Sequence, residues 1–236
     1  MSRVQNPNLE IVELAVVQLG ELVDEMVFLG GCATGLLISD QAAPPTRMTR
    51  DVDTLVQVAS LAEYHQLSRR LYTKGFKEDT SDGAPLCRWT SGLVVLDVMP
   101  TDSSILGFGN RWYAPAIAHA VMQPLPSGRA IRMVSGPYFL LTKLEAFDGR
   151  GHGDYLMSHD MEDIVAVLDG RLEIVDEVLV AGQDVVGELA KRFDGLIKDR
   201  RFLDALYGHM PSDSVSQARV ALIRDKLQKI ARYGGG

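Results

Sequence analysis

The sequence is poor in cysteine, and it lacks both an apolar leader and a long apolar run. Its 2 cysteines, Cys32 and Cys87, are too few for a disulfide scaffold and show no zinc-binding spacing, so we expect reduced thiols. Residues 1–6 carry no apolar stretch typical of a signal peptide. No run approaches the roughly 20 apolar residues that a membrane span needs. We therefore expect a cytoplasmic protein without a membrane partner.

Basic residues are also in deficit, with 24 Lys and Arg against 31 Asp and Glu and a formal net charge of -7. Broad, non-specific binding of nucleic acid requires cations that neutralise phosphates, so this class of function is disfavoured. A local basic patch is compatible with the N-terminal third, where six basic residues cluster: Arg47, Arg50, Arg69, Arg70, Lys74 and Lys77. The alternative for the last four is the solvated face of a helix.

The N-terminal half of the chain carries the patterns of strands. The whole chain of 236 residues is 46% hydrophobic, which allows a sizeable core in one large domain or two modest ones. Helical spacing predicts a helix over 8–25, and a capping box at Ser60 predicts another that ends before Gly75. Apolar runs between turn residues predict strands over 26–29, 51–58, 86–90, 93–99, 119–124 and 130–134. A two-residue turn at Ser91-Gly92 would join the third and fourth of these.

After Gly136-Pro137 the pattern is helical throughout. Helices are predicted at about 138–148, 158–168, 171–180, 184–199, 200–208 and 213–232. A flexible end, Gly234 to Gly236, follows them. We therefore predict an α/β (α+β) catalytic domain over residues 1–135 and a helical domain over 136–236.

Two acidic residues stand two positions apart at the start of a predicted strand. Because side chains alternate between the faces of a strand, Asp51 and Asp53 point the same way and suit a hard divalent cation. The alternative for such a pair is a solvated strand edge. A third acid, Asp97, interrupts an apolar strand, where a buried carboxylate is costly unless it is compensated. The burial of this carboxylate would be compensated either by a metal shared with Asp51 and Asp53 or by an ion pair with Arg88 across the hairpin.

The pair Gly30-Gly31 follows one predicted strand and opens a short predicted helix. Glycine lets the backbone come close to a ligand, and amides at a helix N-terminus attract phosphate. Thr34, one turn further on, would add a hydroxyl. A bare Gly-Gly more often marks only a turn. Its weight comes from the order of features, which is strand, Gly-Gly, short helix, loop, D-x-D, and a later strand with a third Asp.

This order resembles the DNA polymerase β superfamily of nucleotidyltransferases, whose signature is a Gly-Gly or Gly-Ser turn, a D-x-D pair and a third carboxylate. Within it, the chain is similar to the AbiEii/AbiGii-type toxins of abortive-infection toxin–antitoxin systems. The resemblance covers about residues 26–171 and is carried by FLGGCATGLL, TRDVDTLVQV, LDVMPTD and KLEAFDGRGHGDYLMSHDMEDIVAVLDGR. One departure is Cys32, which stands where the family has Ser or Thr.

The resemblance implies a polymerase β-like mixed sheet with flanking helices, an all-helical C-terminal region, and nucleotidyl transfer that depends on magnesium. Two Mg²⁺ ions would be held by the catalytic carboxylates Asp51, Asp53 and Asp97, of which Asp97 would also assist deprotonation of the acceptor hydroxyl. The NTP substrate would be bound by Gly30, Gly31, Thr34, Lys143 and Asp160, with Asp163 close behind. The alternative for Lys143 is a surface lysine paired with Glu145 or with solvent.

The acceptor and the protein partner come from the resemblance alone. It implies tRNA as the acceptor and a cognate antitoxin as the partner, with a protein hydroxyl or a small molecule such as an aminoglycoside as alternative acceptors. A rival of another class is a non-catalytic NTP-binding or protein-interaction module that keeps the fold. The three carboxylates together with Lys143 favour an enzyme, because a binding module does not need the costly Asp97.

Overall fold

A computed structural model describes residues 6–233 of the protein. The first five residues and the predicted flexible end Gly234–Gly236 lie outside the described residues. The chain divides into two compact units. One consists of Asn6–Leu36 and Arg47–Ser135 and contains the sheet, and the other consists of Leu37–Thr46 and residues 136–233 and contains the later helices.

A mixed sheet forms the centre of the first unit. In the described residues it has seven strands: β1 (Met26–Leu29), β2 (Asp51–Val56), β3 (Lys77–Glu78), β4 (Arg88–Ser91), β5 (Val94–Pro100), β6 (Val121–Pro124) and β7 (Ala130–Met133). Their order is β3-β4-β5-β2-β1-β7-β6. The central strands β1, β2 and β5 are therefore buried between neighbours, as their apolar sequences require.

Pairing within the sheet is both parallel and antiparallel. β2 runs parallel to β5 and antiparallel to β1, while β1 and β7 are parallel, with Phe28 opposite Met133. The hairpins β4–β5 and β6–β7 are antiparallel, as is the pair β3–β4. The predicted mixed sheet, with helices around it and a helical C-terminal region, is thus confirmed.

Short helices accompany the strands in this unit. They are α1 (Leu9–Leu19), α2 (Gly30–Leu37), α3 (Leu61–Thr73), α4 (Ser103–Leu106) and α5 (Tyr113–Ala118). The predicted N-cap of α3 is present, because the Ser60 hydroxyl accepts the Glu63 amide, while the Glu63 carboxylate accepts the amide of Ala59, one residue before the partner in a standard capping box. These caps fix where α3 begins.

The prediction of one helix over 8–25 was wrong. α1 ends at Leu19, and Gly20 takes a φ of 61°, which an α-helix does not tolerate. A 3-10 helix, Gly20–Glu25, then leads into β1. The predicted turn at Ser91-Gly92 is also off by one residue, because Ser91 pairs with Val94 and leaves Gly92 and Leu93 as the loop.

The second unit consists of helices. They are α6 (Gly136–Arg150), α7 (His159–Gly170), α8 (Ile174–Leu179), α9 (Gln183–Lys198), α10 (Arg200–Gly208), α11 (Ser214–Ala218) and α12 (Val220–Arg232). The helix predicted over 213–232 is divided at Arg219, whose guanidinium pairs with Asp169 and Asp40. The segment Leu37–Thr46 belongs to this unit, and the amides of Ser39 and Asp40 both donate to the Gly170 carbonyl.

Within residues 6–233, no helix has both the length and the apolar character that crossing a membrane demands. Cys32 and Cys87 are both buried and are not joined to each other.

Candidate functional site

The three acidic residues singled out in the sequence come together on the sheet. β2 and β5 are neighbours and run parallel, and Asp53 lies directly opposite Asp97 in their register. Asp51 precedes Asp53 by two residues, so its side chain is on the same face of β2. The sheet therefore carries a row of three carboxylates across two adjacent strands.

Arg88 joins this row from the next strand. It lies opposite Asp97 in the β4–β5 hairpin, and its guanidinium donates two hydrogen bonds of 2.8 Å, one to each Asp97 carboxylate oxygen. A third bond, of 3.2 Å, reaches Asp51. Asp97 is only 6% exposed, and this bidentate ion pair compensates its burial. The ion pair proposed as an alternative for Asp97 is thus present in the structure. The role of Asp97 in metal binding stays a prediction.

Asp51 remains ionised despite partial burial. Burial raises the pKa of this carboxyl, but a hydrogen bond from the Thr49 hydroxyl and one from its own backbone act in the opposite direction. The positive charges of Arg88 and Arg47 lower the pKa further. The net pKa lies below the ordinary value for Asp, so Asp51 carries its negative charge at neutral pH.

The glycine pair lies against the same row. Leu29 is opposite Asp53 in the β1–β2 register, so the following Gly30, with a φ of 72°, sits beside the Asp53 carboxylate. A Cβ at Gly30 would overlap that carboxylate, and one at Gly31 would lie 2.5 Å from a guanidinium nitrogen of Arg47. Both positions therefore require glycine for close approach, and α2 begins here with its first amides next to the acidic row.

The residues after the glycines are turned into the protein. Thr34 is fully buried, and its hydroxyl donates to the Gly30 carbonyl at 3.3 Å. Cys32 is equally buried, and its thiol donates to the Leu29 carbonyl at 3.3 Å. The predicted contact of the Thr34 hydroxyl with phosphate stays a prediction.

Two residues of this neighbourhood were not assigned a role by sequence reasoning. Asn8 is 1% exposed and hydrogen-bonds both the Gly31 turn and the segment 47–49. Arg47 places its guanidinium against Gly31. The sequence showed Arg47 only as a member of a basic cluster, and nothing near Asn8 marked it, because its partners are 23 and 39 residues away in the chain.

The other predicted nucleotide ligands belong to the helical unit. Lys143 of α6 is 7% exposed, so the alternative of a surface lysine is wrong. Its ammonium lies 2.7 Å from Asp163 and 3.2 Å from Asp160, both on α7, and Arg150 also binds Asp160. Burial raises the pKa of Asp160, but Arg150 and Lys143 lower it to a net value below normal. The roles of Lys143 and Asp160 in nucleotide binding stay predictions.

The chemistry of the acidic row suits magnesium. Three carboxylates supply the oxygen ligands that this ion prefers, and the missing Cβ at Gly30 lets the Asp53 carboxylate lie directly against the backbone. Among residues 6–233, however, no group of three or more His, Cys, Asp or Glu side chains is already arranged around a common metal position. In this arrangement the Arg88 guanidinium takes both oxygens of Asp97. The carboxylates have the chemistry to hold this ion, and the binding of magnesium by them stays a prediction.

No family model matches the chain, and no curated protein matches it by sequence. Among solved structures it is similar to an antigenic nucleotidyltransferase-like protein from Paracoccidioides brasiliensis, with 20% identity, a TM-score of 0.49, and coverage of 84% of this chain and 91% of that one. It is also similar to JHP933 from Helicobacter pylori, with 10% identity, a TM-score of 0.49, and coverage of 98% and 94%. Similarity at this level carries no functional conclusion.

Proposed function

We propose that the protein is a magnesium-dependent nucleotidyltransferase that moves NMP from an NTP to an acceptor hydroxyl. The observation that carries the proposal is the in-register pairing of Asp53 with Asp97, with Gly30 packed against the Asp53 carboxylate. Three residues far apart in the chain thus form one place that combines negative charge with the first backbone amides of α2. A purely structural sheet has no need of this combination, because buried carboxylates are costly.

In the proposed reaction the acceptor oxygen attacks the α-phosphorus of the NTP. A new oxygen–phosphorus bond forms, the bond to the β-phosphate bridge oxygen breaks, and pyrophosphate leaves with that electron pair. The hydroxyl proton passes to Asp97, which is able to accept it once Arg88 has released its oxygens. The first amides of α2 at Gly30 and Gly31 hold the phosphates, and positioning of this kind supplies much of the catalysis in such transfers.

Magnesium in this proposal is held by Asp51, Asp53 and Asp97. When bound, it would neutralise phosphate charge and acidify the attacking hydroxyl. Asp51 supports this role because it is already ionised at neutral pH. Arg88 keeps the carboxylates compensated while no metal is bound, and in this way limits their mutual repulsion.

For the acceptor we propose tRNA, and for the biological role the toxin of a toxin–antitoxin pair, both on the resemblance of the sequence motifs. The rival is a non-catalytic nucleotide-binding module, and one observation favours it. Arg88 already provides Asp97 and Asp51 with a cation, so the two carboxylates do not need a metal to be stable. A small-molecule acceptor is a further outcome that the experiment distinguishes.

The test is incubation of the protein with each α-labelled NTP, magnesium and total tRNA, beside the Asp53→Asn variant. Asp53→Asn keeps the shape of the side chain while removing its charge, so it should remain folded and lose transfer. Label in RNA that depends on Asp53 would support the enzyme and identify both nucleotide and acceptor. Label in the small-molecule or protein fraction would show that the acceptor is a small molecule or a protein and not tRNA. A fully active Asp53→Asn protein, or no label in any fraction, would overturn the enzyme.

A further inference from the structure

Arg47 has an unusual position for an arginine, because it packs on a glycine at the start of a helix. A Cβ added to Gly31 would lie 2.5 Å from one guanidinium nitrogen and 3.2 Å from the central carbon. The guanidinium thus covers the backbone whose amides open α2. The preceding Gly30 lies against the Asp53 carboxylate in the same way. Arg47 therefore adds a positive charge where the helix amides meet the acidic row.

The backbone of Arg47 is fixed by a buried side chain. Asn8 donates from its Nδ2 atom to the Arg47 carbonyl at 2.9 Å and to the Gly31 carbonyl at 3.4 Å. Its Oδ1 atom accepts the Thr49 amide at 2.9 Å. A carboxamide is suited to this position because it donates and accepts at once, which neither a carboxylate nor an ammonium does. Asn8 therefore links the glycine turn to the segment that leads into β2.

We propose that Arg47 binds the triphosphate of the NTP and that Asn8 is the positioning residue that holds Arg47 at Gly31. The inference rests on the proposed nucleotidyltransferase function and adds two residues to it. A guanidinium presents paired N–H donors that match phosphate oxygens. The helix amides at Gly30 and Gly31 contribute only partial charge, so Arg47 supplies the full positive charge on this side of the site. Asn8 acts through Arg47 and does not touch the ligand.

The test is the dissociation constant of each of the four NTPs, measured by isothermal titration calorimetry with magnesium. For the NTP that binds the wild type, Arg47→Ala should weaken binding about tenfold to a hundredfold, the loss expected for one charge-assisted hydrogen-bonding group. Arg47→Lys keeps the positive charge but not the paired N–H donors, so it should weaken NTP binding less than Arg47→Ala does. Arg50→Ala is the matched control, because Arg50 is exposed and lies one residue before Asp51. It should bind within about twofold of the wild type, as expected for screened surface charge.

Asn8 is tested by a double-mutant cycle with Arg47→Ala. If Asn8 acts through Arg47, Asn8→Ala weakens NTP binding in the wild type and has little further effect in the Arg47→Ala protein. Asn8→Asp keeps the acceptor for the Thr49 amide but removes the donor to the Arg47 carbonyl, and should behave as Asn8→Ala does. Circular dichroism checks that each variant is folded during the titration.

The outcomes separate this inference from the proposed function. If no NTP binds the wild type, both the proposed function and the role of Arg47 in triphosphate binding are overturned. If the wild type binds and Arg47→Ala binds equally well, only the role of Arg47 is overturned. Equal losses in Arg47→Ala and Arg50→Ala would also overturn it, because they would indicate a general effect of charge. Additive losses in the cycle would overturn the positioning role of Asn8.

Discussion

Asp97 lies in an apolar strand, and a guanidinium from the neighbouring strand compensates its charge. Arg88 is positioned to do so because the hairpin register places it directly opposite Asp97. The ion pair raises the pKa of Arg88, so this residue stays protonated under all ordinary conditions. The buried charge of Asp97 is therefore compensated by the Arg88 guanidinium without any metal.

We expect Arg88→Met to destabilise the protein by about 2–4 kcal/mol, because it leaves a buried carboxylate without its partner. The measurement is urea unfolding at pH 7, with Arg69→Met on the exposed face of α3 as the control. Adding Asp97→Asn to Arg88→Met should recover most of the loss. An Arg88→Met protein as stable as the wild type would show that Asp97 is compensated in another way.

Cys87 is expected to be unreactive in the folded protein. Burial raises its pKa, and the charges of Asp97 and Asp53 raise it further, to about 12. The reactive thiolate is therefore scarce between pH 8 and pH 10. At pH 8 a disulfide reagent should react with neither thiol of the native protein and with both thiols after denaturation. Rapid labelling of native Cys87 at pH 8 would contradict the geometry of this site.

At the scale of the elements, the strands that carry the carboxylates could be predicted because their apolar runs are continuous. β2 begins at Asp51 as expected, and the α3 cap was visible as a sequence motif. β3 could not be predicted, since its two residues, Lys77 and Glu78, are exposed and carry no pattern. The helices α4 and α5 were missed for a related reason, because four and six residues are too short for a helical period to show.

For the candidate site, local spacing predicted that Asp51 and Asp53 are neighbours. It did not predict which other side chains bind near them. Asp51 and Asp53 share a face because of strand geometry, which depends only on sequence distance. The bidentate geometry of Arg88 and the bonds of Asn8 depend on register and on long-range packing. A single sequence does not contain this information in any periodic form.

The beginning of α2 should tolerate substitution poorly. Gly30→Ala should cost about 1–3 kcal/mol, because the residue has a positive φ and its new Cβ would overlap Asp53. Gly187→Ala in α9 is the matched control, since a Cβ there meets open space and should stabilise the helix by up to about 1 kcal/mol. Urea unfolding of both variants gives the comparison. Equal stability of Gly30→Ala and the wild type would be inconsistent with this packing.

The contact between α6 and α7 should depend on pH through Asp160. Its folded-state pKa is depressed, so its ion pairs with Lys143 and Arg150 add stability above the unfolded value of about 3.9. That stability is lost as the pH falls through the folded-state pKa. Asp160→Asn should therefore be clearly less stable than the wild type at pH 6, and the difference should shrink below about pH 4. A difference that does not change with pH would show that lost packing, and not charge, is responsible.

For the molecule as a whole, the net charge of -7 limits contact with nucleic acid. Part of the N-terminal basic cluster is also neutralised, because Arg70 pairs with Glu25 and Lys74 pairs with Glu21. We expect total tRNA to bind weakly without NTP, with a dissociation constant no tighter than about 10⁻⁶ M at physiological salt. Fluorescence anisotropy across a salt series measures this. Tight binding with a steep salt dependence would require a basic surface that the ion pairs argue against.

The order of the strands has a consequence for synthesis on the ribosome. β1 emerges early, but its parallel partner β7 contains Met133 and is made more than a hundred residues after Phe28. At about 5–20 residues per second, one edge of β1 has no strand beside it for several seconds. β2 and β5 are made within that interval, so the acidic row is able to assemble on a nascent sheet that is still open on one side. During this interval the chain is exposed to pairing with other chains, which makes translation rate and chaperone supply important for its yield.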